Sequence, residues 1–189
     1  VYVARTAEYP QPDYENFLNA ASRSLGRKAI IETAASTHLT FLDSGGTTRK
    51  FREHKYTVGD VRDFRGEMQK HLIEQGLCEK TVVHVDPRLP LVTHGARRTK
   101  LALNILEDER LHLQREHIEE FVLDRFGELP KFMSFRPHVT IGELKNATLN
   151  EEYPNPRELF TSSENEGPVI IPGSVALNGL VVYLDQIVD

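Results

Sequence analysis

Pro137-His138-Val139-Thr140-Ile141-Gly142 puts two polar side chains on one face of an extended chain and two apolar ones on the other. On a strand, residues i and i+2 share a face, so His138 and Thr140 point one way while Val139 and Ile141 turn into a core. The same pattern stands in Ser36-Thr37-His38-Leu39-Thr40-Phe41-Leu42, closed by the loop signal Asp43-Ser44-Gly45-Gly46. Imidazole and hydroxyl groups are costly in a core unless bonded, so two such strands need a cleft to face.

Other elements fall into place around these strands. Val1-Tyr2-Val3-Ala4 reads as a strand broken by Pro10 and Pro12. Asp13 is a candidate cap for a helix carrying Tyr14, Phe17, Leu18, Ala21 and Leu25 at helical spacing, ended by Gly26. A second helix carries Val61, Phe64, Met68 and Leu72 and stops before Gly76. Residues 80–85 are strand-like, 99–106 read as a strand or as the start of the helix that follows, and that third helix runs from about Asp108 to Phe126. Ser174 to Val188 reads as strand, with Asn178-Gly179 a turn or a bulge. Few helices and many short strands predict an α+β fold with antiparallel sheets. No Gly-rich loop joins a strand to a helix, which disfavours dinucleotide and Walker-type phosphate sites.

The chain of 189 residues carries a net charge of −5, and a protein that grips long nucleic acid usually presents a basic face. The expected substrate is therefore short or terminal. Two basic runs qualify this: residues 49–55, with four fixed cations against Glu53, and residues 88–100, with Arg88, Arg97, Arg98 and Lys100 and no acid. Either run also reads as ordinary solvated surface. Nothing approaches the roughly 20 apolar residues of a membrane helix. The lone Cys78 allows no intramolecular disulfide and, with no visible leader, points to the cytoplasm.

Breaking a phosphodiester without a metal needs a base on the attacking oxygen and an acid on the leaving oxygen. Histidine occupies either state near neutral pH, so His38 and His138 on opposite walls form such a pair. The Thr40 and Thr140 hydroxyls are placed to donate to non-bridging oxygens. His112 and His117, five apart on a helix, lack metal-ligand spacing and read as surface residues; His54, His71 and His94 have no partner in sequence. His84, two residues before Asp86, is placed to pair with it, although a plain core or edge role competes. Phe132 and Tyr183 are candidates for stacking a base, with core packing as the competing role.

His38-Leu39-Thr40-Phe41-Leu42 and Phe135-Arg136-Pro137-His138-Val139-Thr140-Ile141-Gly142 resemble the two signature motifs of the two-histidine phosphoesterase superfamily, nearest its 2′-5′ RNA ligase-like, RNA 2′,3′-cyclic phosphodiesterase branch. The resemblance implies two pseudo-symmetric lobes, each an antiparallel sheet backed by helices, around a central cleft formed by residues 1–189 as one domain. It implies His138 as base, His38 as acid, threonine phosphate clamps, and no metal or other cofactor. The substrate would be an RNA end or a small nucleotide, and the protein a monomer without membrane attachment. One departure from the pattern is Glu143, where many relatives carry a basic residue; a carboxylate facing the groove would repel phosphate, leaving Arg136 or Lys145 to supply charge. The rival readings are 2′-5′ RNA end joining and a module that binds RNA ends or cyclic nucleotides without turnover.

Overall fold

The computed structural model describes residues 2–43, 57–77, 79–94, 99–127, 129, 135–146, 155–160 and 169–183. The element order is β1 (Tyr2–Ala7), α1 (Pro12–Leu25), β2 (Ala29–Ile31), β3 (His38–Asp43), α2 (Val58–Glu74), β4 (Thr81–His84), β5 (Leu91–His94), β6 (Lys100–Asn104), α3 (Glu109–Phe126), β7 (His138–Leu144) and β8 (Ser174–Tyr183). This is the α+β, antiparallel arrangement expected. Among the described residues no helix is long and apolar enough to cross a membrane.

The strands form one sheet in the order β4-β8-β1-β3-β7-β6-β5, with β2 also paired to β7. Its two halves meet at β3–β7, where only His38↔Thr140 and Leu39↔Val139 pair. The neighbouring β1–β3 and β6–β7 ladders each run over five residue pairs. The short seam is reinforced along the same edge of β7. Glu32 N–H donates to the Ile141 carbonyl (2.8 Å), β2 pairs with residues 142–144, and Lys145 N–H donates to Lys28 (2.9 Å). The sheet curls until Val85 beyond β4 bridges Ile105 beyond β6.

Local chemistry explains most element boundaries. Asp108 caps α3 by accepting from Leu111 N–H (2.8 Å), and Gly127 ends it at φ 72°. Thr57 and Asp60 form a reciprocal capping box that starts α2 at Val58, three residues before Val61, the first position of the apolar stripe read from the sequence. α1 also starts earlier than its sequence suggests. Pro12, read as a breaker, occupies the first turn, where its missing N–H costs nothing, and Asp13 is not the cap. Gln11 at the N-cap instead bridges to both backbone groups of Ala176 (2.8 and 2.9 Å). Asn178-Gly179 is a bulge, not a turn: the β1–β8 register shifts there, and Gly179 adopts φ 62° against Thr6.

Two strands, β2 and β5, were not apparent from the sequence. β2 has three residues, too few for a period to show, and β5 lies just after Pro90 inside the basic run 88–100. Of that run, Arg88 is exposed and Lys100 lies on β6, while residues 95–98 and all of 49–55 fall outside the described residues.

Gly142 is where β2 comes closest to β7. A Cβ there would collide with the Ile30 carbonyl oxygen and sit 2.9 Å from Ile31 Cδ1, so the β2–β7 pairing requires glycine. Gly142→Ala should lower unfolding stability by about 1–3 kcal/mol, as overpacking does elsewhere. Urea denaturation measures it, and an unchanged midpoint would contradict the close approach.

Candidate active site

Alternation within β3 and β7 builds the site. Leu39 and Val139 are fully buried, while His38, Thr40, His138 and Thr140 are half-buried on the opposite face. Because His38 pairs with Thr140 and Leu39 with Val139, the same antiparallel count brings Thr40 toward His138. The two motifs are therefore related by an approximate twofold centred on Leu39–Val139. His38 and His138 are diagonal neighbours on one face, a relation that places such residues roughly 7–8 Å apart.

The outer strands repeat this symmetry. Ala4 of β1 stands opposite Thr40, and Ala102 of β6 stands opposite Thr140. In both ladders the register shifts immediately before the alanine, between Val3 and Ala4 and between Leu101 and Ala102. Both alanines are fully buried, and their small side chains leave room beside each threonine.

Each histidine is held in the same way. The His38 Nδ1 lies 3.0 Å from the Ser36 carbonyl, and the His138 Nδ1 lies 2.8 Å from that of Arg136. A carbonyl only accepts, so each Nδ1 carries a hydrogen. Each Nε2 is left without a hydrogen-bond partner among the described residues, able to accept a proton when the ring is neutral and to donate one when it is charged. Burial lowers the His138 pKa; the Arg136 carbonyl opposes that shift, and the nearby His38 adds to it. His138 thus favours the neutral form.

Two further side chains complete the group, and neither was singled out from the sequence. His94 Nε2 is 3.1 Å from Thr140 Oγ1, and its ring lies 4.1 Å from that of His138. Burial pushes the His94 pKa down to about 4, with help from the charges of His138 and Lys100. The Tyr2 hydroxyl is 2.9 Å from Thr40 Oγ1, and its ring meets His38 edge-on at 5.8 Å. Tyr2 belongs to a strand whose pairing partners lie far along the chain, and His94 to a strand paired with its near neighbour β6, which in turn pairs with the distant β7. The only signal in sequence was that each falls in a short β-branched or apolar run.

The remaining candidates divide. Arg136 has an exposed side chain and serves the site through its carbonyl. Glu143 is bound by Lys100 (2.5 Å) and Thr99 (3.2 Å), so its charge is offset where repulsion was expected; those contacts, Lys100 foremost, lower its pKa. Lys145 is exposed. Phe132 lies outside the described residues, and of Tyr183 only the backbone is described, paired with Tyr2. Phe135, at the approach to β7, stacks on Phe41 (5.9 Å) beneath the Arg115 guanidinium (4.9 Å).

Elsewhere, His117 is not a surface residue: it is half-buried between α2 and α3, its ring 5.6 Å from that of His71. Helix–helix packing, which spacing within one helix does not reveal, puts it there. His84 is exposed, and Asp86 accepts from the Arg88 and Leu89 backbone and from Asn104 rather than from His84.

No family model matches the sequence, and no curated protein matches it. Several solved structures are similar. The PDE domain of MHV ns2 is 13% identical with a TM-score of 0.49, the match covering 94% of this chain and 97% of that one. A phosphoesterase is 12% identical with a TM-score of 0.49 over 95% and 85% of the two chains. Usb1 of Kluyveromyces marxianus is 10% identical with a TM-score of 0.49 over 98% and 93%.

Nitrogen-15 NMR of the imidazoles should show Nδ1-protonated tautomers for neutral His38 and His138, and His94 titrating near pH 4. Nε2-protonated rings at positions 38 and 138 would contradict the carbonyl anchoring.

Proposed function

We propose that this protein hydrolyses a 2′,3′-cyclic phosphate, or a related 2′-5′ or cyclic-oligonucleotide linkage, on an RNA end or small nucleotide without a metal. The observation that supports this most is the β3–β7 register, which sets two backbone-anchored histidines diagonally on one face, each with a threonine hydroxyl across from it. The acidic overall charge suits a short substrate rather than an extended duplex.

In this mechanism His138 is the base, a role favoured by the burial that keeps its ring neutral. Its Nε2 takes a proton from water as the water oxygen bonds to phosphorus. The bond from phosphorus to one ribose oxygen breaks, and His38 Nε2–H gives its proton to that oxygen. Thr40 and Thr140 donate to the non-bridging oxygens, where negative charge grows in the transition state. His138 ends protonated and His38 neutral, so exchange with solvent resets the pair.

A 2′,3′-cyclic nucleotide assayed with chelator present should be opened to a monoester. Its pH–rate profile should be bell-shaped. Activity rises as pH rises through the His138 pKa, so the acidic limb should lie below the ordinary histidine value of about 6.5. His38→Ala and His138→Ala should each reduce kcat by roughly 10²–10⁴. Losses of only a few-fold would refute the acid–base pair. Joined RNA halves would instead assign the reverse reaction, and tight binding with no turnover a binding module.

A further inference from the structure

Each threonine of the site has a second aromatic neighbour, and the two neighbours come from unrelated places. Tyr2 lies on β1, two residues before Ala4 and on the same face as Thr40. His94 lies on β5, two strands from β7. Through the pairs His94↔Lys100, Val92↔Ala102 and Ala102↔Thr140, it shares a face with Thr140 and His138. It reaches Thr140 over Ala102, where a larger side chain would stand in the way. Both neighbours repeat one arrangement: a polar atom about a hydrogen bond from the threonine oxygen, and a ring against the adjacent histidine.

A threonine hydroxyl has one hydrogen. It serves a phosphate only if that hydrogen is turned to the shared face, so a neighbour bonded to the threonine oxygen must be the donor in that bond. A phenol is a stronger donor than an aliphatic alcohol, so Tyr2 O–H gives to Thr40. A neutral His94 with hydrogen on Nε2 does the same for Thr140. Lys100, the described cation facing His94, disfavours a charged imidazole there and is itself bound to Glu143.

We propose that Tyr2 and His94 are positioning residues that aim the Thr40 and Thr140 hydroxyls at the phosphate and brace the rings of His38 and His138. The proposal deepens the functional reading above and rests on it for its kinetic consequence, though not for its effect on the His138 ring.

The test compares Tyr2→Phe, His94→Phe and His94→Gln with the unaltered protein on a 2′,3′-cyclic nucleotide, and follows the His138 imidazole by NMR in His94→Ala. Tyr2→Phe and His94→Phe keep a ring but lose the donor. Each should lower kcat about ten-fold, less than outright loss of an oxyanion donor, with KM changing by no more than about two-fold. His94→Gln retains an N–H for Thr140 and should recover most of the rate. In His94→Ala, water reaches His138 and its titration should move up toward that of an ordinary histidine. Unchanged kcat in both phenylalanine variants, or equal losses in His94→Gln and His94→Phe, would overturn the proposal. If the unaltered protein opens no phosphodiester, the functional reading fails, and the NMR arm alone decides this one: an unmoved His138 titration overturns it.

Discussion

Leu39 and Val139 face each other across the β3–β7 seam, both wholly excluded from water. Each contributes about 1.5–3 kcal/mol by leaving solvent. A slip of one residue in this pairing would flip one strand against the other, exposing its aliphatic side chain and turning its histidine and threonine into the core. The placement of His38, Thr40, His138 and Thr140 on one accessible face is thus a consequence of where two aliphatic side chains are buried. Chemistry and stability are set by the same alternation.

A seam of two residue pairs is short, and the rest of the fold supports it. β2 continues the edge that β3 begins, so β7 is paired or hydrogen-bonded from Val139 to Lys145. Gly142 lets β2 come close enough to do so. Phe135, stacked on Phe41 and covered by Arg115 of α3, fixes the approach of the chain to His138. Further out, the Val85–Ile105 bridge holds the curl. Across the seam, both motifs present their histidine and threonine on one face of this sheet.

The twofold character of the site was legible in the sequence because it lies in residues a strand's width apart. The His-x-Thr pairs, their apolar partners and the extents of the three helices are all local. His94 and Tyr2 were invisible for the opposite reason. Tyr2 acts through pairing with a strand remote in the chain, His94 through the pairing of its neighbour β6 with the remote β7, and nothing at positions 92 or 102 announces that Val92 and Ala102 will carry His94 toward Thr140. Glu143 was misjudged on similar grounds. Its partners, Thr99 and Lys100, come from a neighbouring strand, and without them a carboxylate beside the site looks repulsive.

The proposed function requires two imidazoles, distant along the chain but on paired strands, to share one anion. A crystal structure grown with orthovanadate and a ribonucleoside tests it most directly. The account predicts a single vanadium with His38 Nε2 and His138 Nε2 on opposite sides, and the Thr40 and Thr140 hydroxyls on its equatorial oxygens. Rings found on opposite faces of the sheet, or a vanadate held elsewhere with either Nε2 turned away, would contradict it.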